Sequence, residues 1–166
     1  MRPARRKAAA PRIDVIVESD LWNEFQDAKA VVRRAIAKAA AVLQAPKAEL
    51  AVVLTNDSAI RSLNRTWRGV DAATNVLSFR TGLTGGEPPL LGDIVLAYET
   101  VAAEARAAHQ PFAHHLAHLA VHGFLHLLGY DHERDKDAER MEAVERDVLR
   151  RLAIPDPYQR PGKAGR

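Results

Sequence analysis

The chain has no cysteine among its 166 residues. Neither a disulfide framework nor a cysteine-ligated structural zinc site can therefore form, and the absence is typical of proteins in a reducing compartment. No apolar run approaches the roughly 20 residues of a membrane span, and the basic residues 1–12 lack the apolar stretch of a secretory signal. We therefore expect a cytoplasmic protein without a membrane partner.

Basic residues concentrate in two tails. Because residues 1–12 carry +5 and residues 153–166 carry +2, the net charge of +3 leaves −4 for residues 13–152. Both tails are rich in Ala, Pro and Gly, which predicts disorder. They could attract an anionic polymer by long-range electrostatics, or be solvated ends without a role. We predict a basic tail over 1–12, one domain over 13–152 and a C-terminal tail over 153–166.

Hydrophobic spacing predicts helices and strands in a mixed order. Strands with apolar alternation or short apolar runs are expected at residues 13–17, 50–54, 75–79 and 93–97. A first helix is expected from a cap at Asp20 to Leu43, and a second, short one after a cap at Asn56 or Asp57, with Ile60, Leu63 and Trp67 inward. Two more helices are expected over 100–108 and 111–128. The last helix has Met141, Val144, Val148 and Leu152 inward. A Gly- and Pro-containing loop is expected at 81–91. The order predicts an α+β single domain in which about five helices cover a small mixed four-stranded sheet.

Three histidines stand at metal-ligand spacing around a predicted helix end. His122 and His126 are four residues apart, which places both imidazoles on one helix face. Gly129 can adopt the left-handed conformation that ends a helix, and His132 follows three residues later. Three imidazoles leave one position of a tetrahedral zinc open, as in catalytic sites. We predict a metal site formed by His122, His126 and His132.

The residue after the first histidine separates this site from a known class of zinc protease. The spacing also fits the metal-binding segment of that class, whose members carry a glutamate there as general base. Here the position is Gly123, which has no side chain to accept a proton. The sequence therefore indicates a hydrolytic metal site with another mechanism.

Other polar residues near this run are weaker candidates. His118 is a possible fourth ligand, although we favour a supporting role behind the ligands, and His109, His114 and His115 are interpreted as surface or packing residues. Asp131 could orient a ligand imidazole or cap the turn. Arg68 precedes Gly69 at an element boundary, where either a functional group or a surface arginine fits the spacing.

These motifs resemble the YbeY family of bacterial rRNA-maturation endoribonucleases over most of residues 45–158. The family's most specific motif is His-Gly-x-Leu-His-Leu-x-Gly-Tyr-Asp-His, here residues 122–132. Supporting matches are Leu-Asn-x-x-x-Arg at 63–68, Thr-Asn-Val-Leu-Ser-Phe at 74–79, Leu-Gly-Asp-Ile at 91–94, the helix at 141–145 and Asp-Pro-Tyr at 156–158. Four positions depart from the usual pattern, namely Trp67, Val70, Ala73 and Arg80, so substrate contacts are expected to differ more than the metal ligands.

The resemblance implies a metal-dependent endoribonuclease that cleaves single-stranded RNA. It assigns the metal to His122, His126 and His132, and a catalytic role in the cleft to Arg68. It also implies 16S rRNA 3′-end maturation and ribosome quality control, with the small ribosomal subunit and assembly factors, including a GTPase, as partners. Zinc is the expected cofactor, with one ion per chain, although histidines also accept nickel or copper. The expected oligomeric state is a monomer.

Two other functions share these residues. A metal hydrolase acting on peptides or small molecules has the same ligand set, although the protease glutamate is missing. A non-catalytic ribosome-assembly factor could use the metal only for stability. The sequence leaves the base open as well, because metal-bound hydroxide and attack by an RNA 2′-hydroxyl both fit.

Overall fold

The computed structural model describes residues 10–81 and 88–159. Most of the predicted N-terminal tail, residues 82–87 of the predicted loop and residues 160–166 lie outside this range. The described strands are β1 (Arg12–Val17), β2 (Glu49–Thr55), β3 (Val76–Arg80) and β4 (Leu90–Ala97). The helices are α1 (Ala28–Leu43), α2 (Asp57–Arg68), α3 (Tyr98–Ala107), α4 (Phe112–Leu127) and α5 (Asp135–Arg151), with a short 3-10 helix at Asp20–Glu24.

The strands form one mixed sheet in the order β1-β2-β4-β3. β1, β2 and β4 are parallel, whereas β3 runs antiparallel to β4 and forms one edge. Helices follow β1, β2 and β4, which is the usual way to connect parallel strands. The predicted α+β domain with a mixed four-stranded sheet and five α-helices is confirmed.

Helix α4 crosses the centre of the domain. Ten of its residues are buried, including Leu116, Phe124 and Leu125, which are fully enclosed. The helix packs on α1, α3 and α5 and against β3 and β4. Since each enclosed side chain of this size contributes about 1.5–3 kcal/mol, the burial of these residues stabilises the position of α4 in the core.

The segment before α1 differs from the sequence prediction. Instead of one helix from Asp20 to Leu43, the chain forms the 3-10 helix and bends at Phe25 before α1 begins. Ser19, not Asp20, caps the 3-10 helix through a hydrogen bond from the Leu21 amide. The cause is Trp22, which is 3% exposed and donates its indole N–H to the Thr55 carbonyl at 2.8 Å.

Helix α2 begins and ends where the sequence predicts, with Arg68 as its last residue and Gly69 as its cap, but one of its apolar residues is not buried. Asn56 caps it by accepting from the Ala59 amide at 2.9 Å. Ile60 is buried beneath it, in a small core with Leu77. Trp67, predicted inward, is 69% exposed, because this core is closed by the earlier turns of α2, and the indole forms an edge-type contact with Phe79.

The residues after α5 pack against the domain. Ile154 and Tyr158, within the predicted C-terminal tail, are partly buried. Ile154 packs on the main core, and the Tyr158 amide donates to the Asp156 carboxylate at 2.8 Å. Part of the predicted tail therefore packs on the domain.

Candidate metal centre

The end of α4 brings three imidazoles to one point. His122 and His126 lie on its last two turns, Gly129 adopts φ +99°, and the chain then returns to place His132 beside them. Their candidate ligand nitrogens all lie within 4.8 Å of one another. His122 Nε2 and His126 Nε2 are 3.1 Å apart. Three nitrogens converging at this spacing can hold a divalent ion in place of the proton that otherwise joins two of them.

The protonation state of His126 suits a metal ligand. Burial lowers its pKa to about 4, helped by the neighbouring His122 and His132. At neutral pH the imidazole is therefore uncharged, with a nitrogen lone pair to donate. The donor set consequently fits a metal that prefers nitrogen, such as zinc or nickel.

A carboxylate from another helix fixes the first histidine. Glu145, on α5, is 0% exposed, and its Oε1 lies 2.6 Å from His122 Nδ1. A carboxylate can only accept, so Nδ1 carries the proton and Nε2 presents its lone pair to the cluster. Burial alone would raise the pKa of Glu145, but hydrogen bonds from His118 and His122 outweigh it and lower the pKa to about 2.

The second oxygen of Glu145 has two further partners. His118 Nε2 lies 3.1 Å from Oε2, and the Tyr158 hydroxyl donates to the same oxygen. Burial and the Glu145 charge together raise the pKa of Tyr158, so its hydroxyl keeps the proton that it donates. His118 therefore contacts the carboxylate that holds His122. This position agrees with the supporting role that the sequence favours over that of a fourth ligand.

The histidine cluster opens into a cleft of about 450 Å³. One wall is formed by β3, by the residues just before it and by Arg68 at the end of α2. The other wall is the α4 terminus and the turn that carries Tyr130 and Asp131. Arg68, which is exposed, thus faces the same space as the three histidines although it lies more than 50 residues earlier in the chain.

Residues 17–153 match the family model described as Endoribonuclease YbeY. The chain belongs to the YbeY family. It is 53% identical over 161 residues to a protein named Endoribonuclease YbeY from Bradyrhizobium diazoefficiens, covering 92% of this chain and 88% of that relative. A relative of the same name from Methylocella silvestris is 52% identical over 155 residues, covering 91% of this chain and 88% of the relative. The resemblance drawn from the motifs is therefore confirmed.

In this YbeY-family chain, the glycine after the first histidine packs against the sheet. The Gly123 carbonyl accepts from Ser78 Oγ at 3.0 Å. A Cβ at Gly123 would lie 2.8 Å from Ile94 Cγ2 and 3.2 Å from Ser78 Oγ. The space next to this position is therefore already filled by side chains of β3 and β4, so the packing leaves no room for the glutamate that the zinc proteases carry here.

The remaining candidates lie around the cluster. Among the hydrogen bonds of the described residues, Asp131 Oδ1 accepts from the Glu133 amide at 3.4 Å and bonds no histidine, which is the turn-capping alternative. His115 is a packing residue, 8% exposed, bonded to Glu104 at 3.0 Å. His109 lies on a turn and His114 borders a separate shallow groove.

Glu145 was missed by the sequence analysis, although a local signal exists. Met141, Glu145 and Val148 share one helix face, and all three are buried. A glutamate at an inward position between apolar residues requires a buried partner, and the only polar cluster that the motifs predicted was the histidine site. This reasoning would have connected α5 with the histidines.

Proposed function

We propose that this protein is a metal-dependent endoribonuclease that cleaves single-stranded RNA. The observation that carries the proposal is the convergence of His122, His126 and His132 in a cleft that Arg68 also lines. The name of the relatives, Endoribonuclease YbeY, supports the choice of RNA as substrate. The proposed cofactor is one zinc ion on the three histidines, with nickel or another divalent ion as a substitute.

The metal ion and the side chains of the cleft would have different roles in the reaction. A bound divalent ion would supply Lewis acidity and lower the pKa of coordinated water. Arg68 offers a planar guanidinium that can hold two non-bridging oxygens of a phosphodiester, and its charge favours the extra negative charge of the transition state. Glu145 keeps His122 in the tautomer that can bind metal. Gly123 leaves the α4 position beside His122 without a proton acceptor, so the general base is not the glutamate that zinc proteases with this histidine spacing use.

The proposed biological role is maturation of the 16S rRNA 3′ end and ribosome quality control in the cytoplasm, as the family resemblance implies. The proposed partners are the small ribosomal subunit and its assembly factors, and the proposed solution state is a monomer. Among residues 10–81 and 88–159, no helix has the length and apolar character to span a membrane.

The decisive experiment compares wild type, His122→Ala and Arg68→Ala on a labelled single-stranded RNA, with bound metal measured in each preparation. We expect His122→Ala to lose both metal and cleavage. We expect Arg68→Ala to keep the metal and lose about 10²–10³-fold in rate, as when one charge-stabilising donor is removed from a transition state. Arg65→Ala is the matched control, because Arg65 is an exposed arginine on the same last turn of α2.

Equal cleavage by all variants would identify a contaminating nuclease and refute the proposal. Metal loss that lowers the melting temperature, without any RNA cut that depends on Arg68, would instead favour the non-catalytic assembly factor. Cleavage by carefully prepared protein free of metal would refute the role of the histidines.

A further inference from the structure

A second guanidinium lies in the cleft, contributed by Arg80. Arg80 is the last residue of β3 and lines the same cleft as Arg68 and the three histidines. Its guanidinium atoms lie 3.5–3.8 Å from the point where a Cβ on Gly129 would project. The charged group is thus positioned over the turn that connects His126 with His132.

The fold determines this direction. Side chains two residues apart on a strand point to the same face of the sheet. Ser78 faces α4, since its hydroxyl bonds the Gly123 carbonyl, and Arg80 therefore points toward the same helix near its C-terminal end. Gly129, which has no side chain, leaves the surface there open to the guanidinium.

The charge of Arg80 is available to a ligand. None of the ion pairs formed within residues 10–81 and 88–159 includes Arg80, and the residue is exposed. The acidic side chain that shares the cleft lining is Asp131, whose carboxylate is turned to the Glu133 amide. A cleft bordered by two arginines is suited to a chain of phosphates more than to a single one.

We propose that Arg80 binds a second backbone phosphate of a single-stranded RNA, while Arg68 engages the phosphate that is cleaved. This inference rests on the proposed function and adds the way in which the substrate is held. Arg80 is thereby a substrate-positioning residue, and the reaction chemistry remains with the histidine site and Arg68. An arginine at this point gives the cleft affinity for a strand of at least two phosphates.

The test measures how salt weakens binding of a fluorescent 2′-O-methyl-uridine decamer to metal-loaded protein, with the probe checked on a gel for integrity. Each phosphate contact on a single strand contributes about 0.7 to the slope of log K against log salt. We expect Arg80→Gln to reduce the slope by about 0.7 and to weaken binding about fivefold at about 0.1 M salt. Arg80→Lys, which keeps the charge, should retain the slope.

Arg33→Gln is the matched control, because Arg33 is an exposed arginine of α1 that does not line the cleft. It removes the same charge and should leave the slope nearly unchanged. An equal slope change in Arg33→Gln and Arg80→Gln, or none in Arg80→Gln, would overturn the role of Arg80. If Arg68→Ala still loses cleavage while keeping its metal, the proposed ribonuclease function would survive that result. Wild type that fails to bind the probe at any salt concentration would overturn the inference as well.

Discussion

Replacing Glu145 by glutamine should weaken metal binding, although Glu145 is not itself one of the proposed metal ligands. The carboxylate accepts from His122 on one oxygen and from His118 and Tyr158 on the other. Glutamine keeps the shape but has only one accepting oxygen. If the amide nitrogen faces His118 and Tyr158, two accepted hydrogen bonds are lost. If it faces His122, it donates to Nδ1, and the proton of the imidazole moves to Nε2, where it blocks the lone pair that a metal needs.

Either orientation has a measurable cost. The second orientation preserves more hydrogen bonds, so we expect it to dominate and to weaken metal binding about 10–100-fold, as the loss of other groups that orient ligands does. This loss corresponds to about 1.4–2.7 kcal/mol. Without metal, the hydrogen bonds that remain no longer involve a buried charge, and this weakening should lower the free energy of unfolding by about 2–3 kcal/mol.

The assay is a competition titration of zinc between the protein and a chromogenic chelator, with urea unfolding of the stripped protein. Glu142→Gln is the control, since Glu142 is on the same helix in a surface pair with Arg146 at 3.7 Å. A pair of this kind contributes at most about 1 kcal/mol, and metal affinity should not change. Zinc affinity of Glu145→Gln within twofold of wild type would refute the reasoning about the tautomer.

Two further predictions concern stability. Protein stripped of metal should lose stability as pH falls, because the folded-state pKa of His126, about 4, lies below the ordinary 6.5 and that of Glu145, about 2, lies below the ordinary 4.5. Both groups bind fewer protons in the folded than in the unfolded protein. The stability that His126 contributes is therefore lost between pH 6.5 and 4, and that of Glu145 between pH 4.5 and 2. Equal urea midpoints at neutral and mildly acidic pH would contradict this prediction. Asn56→Ala should cost about 1 kcal/mol of unfolding free energy by removing the cap of α2, while Asn56→Asp, which can still accept from the Ala59 amide, should be nearly neutral in the same urea titration.

The convergence of the three histidines was predictable because the sequence information that determines it is local. Two histidines one helical turn apart and a glycine that ends the helix determine the direction of both side chains within a dozen residues, whatever packs around them. The same holds for the cap at Asn56, whose bond spans three residues. The order of strands and helices followed equally from periodicity within each segment.

What could not be predicted depends on contacts distant in sequence. Glu145 meets His122 across 23 residues, and nothing in the sequence states which face of α4 meets α5. Trp67 has the spacing of a core residue, but the extent of the core beneath α2 is decided by β3 and β4, which leave the indole outside. The bend after Trp22 likewise depends on a bond to Thr55, 33 residues away.

The tight packing of Gly123 limits the evolution of this helix. To acquire the protease base, the chain would need a glutamate where even a methyl group would lie 2.8 Å from Ile94. A glutamate at position 123 would therefore collide with the Ile94 side chain, which would have to shift or be replaced by a smaller residue before the glutamate could be accommodated. The close packing of α4 on β4 and a glutamate next to His122 therefore exclude each other in this chain, so that gaining the base would lower stability unless Ile94 changed as well.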